Sequence, residues 1–395
     1  MDKSTRIRTR PLQWTGLRTT QVTILLLAVL LGACRSEPDV VLVDPDATYE
    51  TKALFANLRR MSGEYVLFGH QDDLAYGTTW KRERGRSDVK EVTGAYPAVY
   101  GWELAGLENL DAYNIDSVNF AEMKEWMKEG FERGGVITAS WHIDNPESGG
   151  NAWDTTRAIH TLLTGGKHHA MYVDWLDHFA AFVSDLNTGF WAYEGLGTKV
   201  PIIFRPFHEH TGNWFWWGGT NVTPDEYKKL WRFTVTYLRD KKGIHNLLYA
   251  YSPAGFSSEE EYFRHYPGDE FVDVLGFDDY GSLQSDSTMP NMTSQLRFVV
   301  EQARKRDKIA ALTETGFEQI PYPTWWTERL LASIRADSIS QGIVYALVWR
   351  NAIDRPNHYY APYPGHPSAP DFVKFYEDPF VLFEDELPDL YTWKP

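Results

Sequence analysis

The chain has 395 residues, of which 43% are hydrophobic and 24% charged, so it can bury a large core and disorder is excluded as its main state. Its formal net charge of -15 excludes broad attraction to nucleic acid phosphates, and we expect no nucleic acid partner. A single cysteine excludes intramolecular disulfides and multi-cysteine metal sites.

The N-terminal 33 residues have the pattern of a secretory signal. Several arginines precede an apolar run from Val22 to Leu31, which is too short to cross a bilayer as a mature helix. The following Gly32-Ala33-Cys34 resembles the lipobox of bacterial lipoproteins, which implies a lipidated Cys34 and a place in the bacterial cell envelope, anchored to the outer membrane. An ordinary cleavage site that adjoins a cysteine is the alternative. Residues 34–46 are polar and predict a tether.

The remaining residues, 47–395, contain no repeat and no low-complexity linker, so we expect one domain. Short apolar runs recur along it and predict eight buried strands. They are Tyr65 to Phe68, Ala98 to Trp102, Val136 to Trp141, Val200 to Phe204, Leu247 to Tyr251, Val272 to Phe277, Ala310 to Thr313 and Ile343 to Trp349.

Helical patterns lie between several of these runs, at Val118 to Arg133, Thr223 to Arg239, Met292 to Arg306 and Thr327 to Asp337. Alternation of strand and helix favours a parallel sheet, and eight units in a domain of this size predict an α/β fold, the (β/α)8 TIM barrel. A doubly wound open sheet is the alternative, although no G-x-G-x-x-G follows the first strand.

Nearly every predicted strand ends in polar or aromatic residues, which a barrel would gather on one face. In barrel enzymes the C-terminal ends of the strands carry the chemistry. The residues are His70 to Asp73, Trp102-Glu103, Trp141-His142, Arg205 to Glu209, Asp278 to Tyr280, Glu314 and Trp349 to Asn351.

Two glutamates in this set, Glu209 and Glu314, predict glycoside hydrolysis. They are 105 residues apart, a length that three strand-helix units would span, which would place both at one rim of the barrel. The reaction needs one carboxyl group to protonate the leaving oxygen and a second to meet the positive charge that develops at the anomeric carbon. Either glutamate alone has an alternative as half of a buried ion pair.

The neighbours of each glutamate indicate its role. Glu209 lies between two histidines and close to several tryptophans, and an apolar wall raises the pKa of a carboxyl group, so we expect it to be the acid/base. Glu314 follows an apolar strand, and Arg205 or Tyr280 could hydrogen-bond it as an anion. We therefore expect Glu314 to be the nucleophile.

Several motifs in order resemble glycoside hydrolase family 26, most closely its bacterial β-mannanases. They are FGHQDDLAYG from Phe68, SWHIDNP from Ser140, FRPFHEHTGNWFWWG from Phe204, FDDYGS from Phe277, TETGFE from Thr313 and VWRN from Val348. The resemblance implies a retaining (β/α)8 hydrolase that cleaves β-1,4-mannosidic bonds in mannan, glucomannan or galactomannan. The family's activities on β-1,3-xylan and mixed-linkage β-glucan stay open as alternatives.

Matched to the family's motifs, Glu209 is the acid/base and Glu314 the nucleophile. The resemblance also implies substrate-binding residues around them. These are His142 at the cleaved sugar, His208 at the sugar or the nucleophile, Tyr280 on the nucleophile, Trp349 under the cleaved sugar, Trp214 on the leaving-group side and Arg350 at the next sugar, and Arg205 joins them. Trp102, Trp216 and Trp217 could be core as readily as stacking residues.

Two other functions are weighed against this one. A metal-dependent hydrolase could use His208-Glu209-His210, His168-His169 and Asp278-Asp279, but the first two histidines are two residues apart, unlike the helical H-E-x-x-H pattern. A glycan-binding lipoprotein without catalysis is the second alternative. For the hydrolase we expect a monomer that needs no cofactor and no metal.

Overall fold

Eight parallel strands close into a barrel in the computed structural model, which describes residues 36–189 and 197–395. Each strand pairs with the next along the chain, and the eighth pairs with the first from Leu67 beside Tyr345 to His70 beside Val348. This closure confirms the predicted (β/α)8 barrel and excludes the open sheet. The strands are β1 Val66–Gln71, β2 Val99–Glu103, β3 Val136–Trp141, β4 Ile202–Pro206, β5 Leu247–Tyr251, β6 Val274–Asp279, β7 Ile309–Thr315 and β8 Ile343–Val348.

All eight predicted strands exist, and β3 and β5 have the predicted bounds. Others extend further toward their C-terminal ends, because ladder pairing continues past the apolar run: Gln71 pairs with Gly101, and Asp279 with Thr315. A short strand β9, Val381–Leu382, adds to the outside of β1, and Asn187–Thr188 pairs antiparallel with Thr198–Lys199. The polar ends that carry the candidate chemistry are thus parts of the strands themselves.

Helices follow most of the strands. Three of the four predicted helices lie close to their predicted positions, whereas the helices Tyr49–Met61 and His169–Ser184 were not predicted. The helix predicted from Thr223 begins with a capping box in which Thr223 and Glu226 bond each other's backbone. The helices are α1 Tyr49–Met61, α2 Asp88–Thr93, α3 Phe120–Glu132, α4 Ile159–Leu162, α5 His169–Ser184, α6 Pro224–Thr236, α7 Glu259–Phe263, α8 Met289–Lys305, α9 Ala332–Ile334 and α10 Ala369–Tyr376.

The helix predicted from Thr327 to Asp337 differs from the one observed. A π-helical segment, Trp326–Leu331, precedes the short α9. The carboxylate of Asp371 accepts both backbone N–H groups of Trp326 and Thr327 at 3.1 Å, so a side chain from α10 bonds the first turn of the segment. Apolar spacing does not reveal such a partner.

The end of the barrel opposite the strand C-termini is covered by α1. Leu54, Phe55 and Leu58 on this helix are fully buried in a core cluster with residues such as Leu248, so that end is closed to ligands. Val43, within the predicted tether, donates its N–H to the buried carboxylate of Asp273 at 2.8 Å.

The predicted signal peptide and Cys34 lie outside the described residues, so the boundary after residue 33 stays a prediction. The boundary predicted after residue 46 stays a prediction as well. Within residues 36–189 and 197–395, none of the helices combines the length and the apolar character that a bilayer crossing requires.

Candidate active site

The two predicted glutamates meet at the C-terminal end of the barrel. Glu314 belongs to β7, where it pairs with Asp278, and Glu209 lies in the loop after β4. One carboxylate oxygen from each of Glu209, Asp278 and Glu314 lies within 4.8 Å of the others. Glu209 has a left-handed backbone (φ 52°), and its N–H donates to the carbonyl oxygen of Ser252 at 2.7 Å. This unusual conformation at the rim is typical of functional sites.

Two donors hold the carboxylate of Glu314, which is 4% exposed. The Arg205 guanidinium donates to its Oε1 and also to Asp278 at 2.7 Å, and the Tyr280 hydroxyl donates to Oε2 at 2.8 Å. Both contacts match the sequence prediction that Arg205 or Tyr280 could bond Glu314 as an anion. These two hydrogen bonds fix the direction of the carboxylate, as attack on a sugar requires.

The surroundings of Glu209 favour the protonated form of its carboxyl group. Burial, and then the charge of Glu314, raise the pKa of Glu209 to about 7, while a hydrogen bond from Trp214 opposes the shift. That bond runs from the indole Nε1 to Oε2 of Glu209 at 2.7 Å. A carboxyl group whose pKa lies near neutral pH, beside a carboxylate held by two hydrogen-bond donors, meets the requirement for an acid and a nucleophile.

Trp214 lies beside Glu209, and its predicted place on the leaving-group side of a substrate stays a prediction. It is 44% exposed, so one face is free for a ligand. Gly212 makes room for its ring, since a Cβ on this glycine would lie 2.2 Å from Cη2 of Trp214. A second exposed tryptophan, Trp153, stacks on His142 at 5.0 Å with a 10° interplanar angle.

Three further predicted contacts lie next to the glutamates. His142 and His208 face each other with their Nε2 atoms 3.2 Å apart, and the ring of Trp349 lies 6.4 Å from that of His142. The charges of Glu209 and Glu314 both act on His142. The structure therefore brings His142, His208 and Trp349 together at the rim.

Arg350 lies deeper than a surface contact for the next sugar would suggest. It is 3% exposed, and its two terminal nitrogens bond Asp116 at 2.8 Å and the Tyr76 hydroxyl at 3.1 Å. Its predicted role stays a prediction, and in this arrangement both terminal nitrogens already have protein partners. No feature of the printed sequence pointed to Asp116 as that partner.

The histidines proposed as ligands for a metal-dependent hydrolase do not meet the carboxylates at one point. His210 turns away from Glu209 and bonds two tyrosine hydroxyls, Tyr251 at 2.9 Å and Tyr227 at 3.1 Å. Of the three carboxylates that do converge, those of Asp278 and Glu314 are paired with the Arg205 guanidinium, whose positive charge opposes a cation at the same place. These residues do not fit a metal centre.

The sequence left three tryptophans open as either core or stacking residues, and the structure places all three in the core. Trp102, Trp216 and Trp217 are all 0% exposed. Trp217 nevertheless supports the site, because its indole donates to the carbonyl oxygen of His208 at 2.8 Å.

The sequence analysis missed the roles of Glu103 and Trp153. Glu103 was noted only as a polar residue at a strand end, yet it bonds His142, and Trp153 was not singled out. Asp278 was noted as a rim residue and a candidate metal ligand, whereas it shares Arg205 with Glu314. The position of Glu103 at the end of a buried strand was the one signal available.

Comparisons with known proteins find glycosidases similar in sequence to this chain. A sequence model described as Glycosyl hydrolase family 26 matches residues 43–353. The mannan endo-1,4-beta-mannosidase of Bifidobacterium adolescentis is 41% identical over 283 residues, which are 69% of this chain and only 27% of that protein. A mannan endo-1,4-beta-mannosidase of Bacillus subtilis is 28% identical over 280 residues, with 66% of this chain and 72% of that protein covered.

Two solved structures have folds similar to that of this chain. A family 26 β-mannanase from Bacteroides ovatus is 43% identical with a TM-score of 0.83, covering 88% of this chain and 98% of that one. A double mutant of the Cellulomonas fimi endo-β-1,4-mannanase is 37% identical with a TM-score of 0.82, covering 90% and 80%.

Proposed function

Because the chain belongs to glycosyl hydrolase family 26, we propose that it hydrolyses β-1,4-mannosidic bonds in mannan, glucomannan or galactomannan. The observation that carries the proposal is the approach of Glu209 and Glu314 to within 4.8 Å at the open rim of the barrel. The names of the similar proteins from Bifidobacterium adolescentis and Bacteroides ovatus support mannan as the substrate.

The spacing of the two carboxyl groups supports a retaining, double-displacement mechanism. Retaining glycosidases hold them about 5 to 5.5 Å apart, whereas inverting enzymes leave roughly 6.5 to 9.5 Å for a water molecule. In the first step Glu314 attacks the anomeric carbon while Glu209 protonates the departing oxygen. In the second step Glu209 takes a proton from water, which attacks the same carbon and releases Glu314.

Two exposed indoles give the cleft faces for sugar rings. Trp153 is 49% exposed and Trp214 is 44% exposed, and both lie near Phe215, with ring centroids 5.5 and 6.2 Å from it. Aromatic faces bury the apolar side of a pyranose without fixing its identity. Sugar identity is therefore tested directly.

The test is a time course of products from unbranched mannan, galactomannan, β-1,3-xylan and mixed-linkage β-glucan. Release of manno-oligosaccharides from the first two substrates is expected. Release from xylan or mixed-linkage glucan alone would transfer the proposal to that substrate, and binding without release would favour the glycan-binding alternative. Loss of activity with a chelator and its return with zinc would favour the metal-dependent alternative.

We predict a shift in the pH profile when Trp214 is replaced with phenylalanine. The rate on mannan should fall as pH rises through about 7, since Glu209 must be protonated to act as an acid. Trp214→Phe removes the hydrogen bond that stabilises the Glu209 anion, so the pKa rises and the alkaline limb should move to higher pH. An alkaline limb that stays in place, or moves down, would contradict the assignment of that limb to Glu209.

We also propose that Cys34 carries a lipid that anchors the protein to the cell envelope. The support is the lipobox-like sequence before it and the arginine-rich, apolar segment further upstream. Cys34→Ser should move the protein from the membrane fraction to the soluble fraction of a bacterial host. Equal membrane association of both proteins would indicate attachment by another route.

A further inference from the structure

Glu103, the last residue of β2, is a fully buried carboxylate with four hydrogen-bond donors around it. Its Oε1 accepts the backbone N–H groups of Ala105 and His142, both at 2.7 Å. Its Oε2 accepts the Ser140 hydroxyl and the Nδ1–H of His142, also at 2.7 Å. Burial alone would raise the pKa of Glu103, but the charge and hydrogen bonds of His142 outweigh it and lower the pKa to about 2.

The other side of His142 faces the reaction centre. Its Nε2 lies 3.2 Å from Nε2 of His208, so one of the two rings donates and the other accepts. The indole of Trp153 stacks on His142, a face that favours a cation. A chain of three groups thus runs from Glu103 through His142 to His208, the neighbour of the acid/base.

We propose that Glu103 is a positioning residue, which keeps a proton on both ring nitrogens of His142 and thereby fixes the tautomer of His208. Held in this way, His142 donates Nδ1–H to Glu103 and Nε2–H to His208. His208 then accepts at Nε2 and carries its own proton on Nδ1. This inference rests on the proposed glycosidase function only for what the proton on His208 Nδ1 does in the reaction. The presence of that proton does not depend on the proposed function.

The charges around the two rings agree with this distribution. Burial works against a charged His142, yet Glu103, Glu314 and Glu209 together raise its pKa. Burial, Arg205 and His142 lower the pKa of His208 well below its usual value. The titratable groups that interact with His142 come from several elements: Glu103 from β2, Asp116 from the loop after β2, His208 and Glu209 from the loop after β4, and Glu314 from β7.

His208 Nδ1 is the atom that this arrangement makes available. It is buried and has no hydrogen-bond partner among the described residues. As an N–H this buried atom is a hydrogen-bond donor, and with the opposite tautomer it is an acceptor. The charge on Glu103 therefore decides which of the two His208 presents beside Glu209.

The experiment compares the wild type with Glu103→Gln, which keeps the shape and loses the charge, and with Ser140→Ala, which removes one hydrogen bond to Glu103 without changing charge. Nitrogen-15 NMR of the imidazoles reads protonation directly. We expect wild-type His142 to be doubly protonated at pH 7 and His208 to carry its proton on Nδ1. In Glu103→Gln, His142 should lose one proton at pH 7 and regain it as pH falls.

The rates should follow the same pattern. Loss of a charge-assisted hydrogen bond predicts a kcat on mannan about 10- to 100-fold lower for Glu103→Gln at pH 7. The ratio of variant to wild type should rise toward one at lower pH, whereas the ratio for Ser140→Ala should stay constant. A pH-independent ratio for Glu103→Gln would indicate a merely structural role.

The NMR arm separates this inference from the proposed function. A wild type with singly protonated His142 at pH 7, or with His208 protonated at Nε2, overturns the inference even if mannan is cleaved. A wild type that releases no sugar fails the proposed function, while the NMR spectra still decide the role of Glu103. If Glu103→Gln does not fold, the wild-type spectra alone give the decision.

Discussion

Replacement of Glu314 with alanine is expected to abolish hydrolysis of both mannan and an aryl β-mannobioside with a good leaving group. The carboxylate that attacks the anomeric carbon is absent, and no second carboxylate replaces it, because Asp278 is bonded to Arg205, Ser252 and Thr313. Removal of the nucleophile from a hydrolase that works through a covalent intermediate costs on the order of 10⁶-fold in kcat. Initial rates on the two substrates measure the effect.

Azide provides the positive control for Glu314→Ala. The anion fits the space of the lost carboxylate and attacks the anomeric carbon as Glu209 protonates the departing oxygen. The carbon–nitrogen bond forms on the face opposite the leaving group, so the product should be the α-mannosyl azide. Glu260→Ala, at an exposed position in α7, should retain wild-type rates. Substantial residual activity of Glu314→Ala without azide would contradict its role.

Replacement of Glu209 with alanine should slow cleavage of mannan by roughly 10²- to 10⁴-fold, the usual contribution of proton transfer to a leaving group. The first step on an aryl mannobioside should be spared, since a good leaving group departs without protonation. Glycosyl-enzyme should then accumulate, because no base activates water in the second step. A burst of phenol release followed by a slow steady rate is the measurement.

The product formed with azide separates the two glutamates. In Glu209→Ala, azide needs no base and attacks the glycosyl-enzyme, which breaks the bond between the sugar and Glu314. Two successive inversions should give the β-mannosyl azide, the opposite of the product from Glu314→Ala. If Glu209→Ala lost rate equally on mannan and on the aryl substrate, with no burst, the assignment of Glu209 as acid/base and Glu314 as nucleophile would be contradicted.

The barrel could be predicted because its strands are buried on both faces and so appear as short apolar runs. The run from Val136 to Trp141 has the bounds of β3, since its ladder partners end with it. The segment around Thr327 could not be predicted in the same way. Its π-helical turn depends on Asp371, which is more than 40 residues further along the chain.

The residues of the candidate site also fall into those that the sequence could predict and those that it could not. Glu209 and Glu314 could be predicted because an acid and a nucleophile for glycoside hydrolysis need acidic residues at or just after strand ends, a signal that the sequence carries. The hydrogen bonds among the surrounding side chains could not be predicted, because they join residues far apart in the sequence. The link from Glu103 to His142 spans 39 residues, and the pairing of Arg350 with Asp116 joins the first third of the chain to the last third. Long-range hydrogen bonds of this kind are visible only after folding.

The stereochemistry of the first product tests the central claim that Glu209 and Glu314 act on opposite sides of one glycosidic bond. Hydrolysis of a manno-oligosaccharide is followed by proton NMR within the first minutes, before mutarotation mixes the anomers. A glycosyl-enzyme on Glu314 predicts that the new reducing end appears first as the β-anomer. Initial appearance of the α-anomer would show a single inversion by water and would contradict the account.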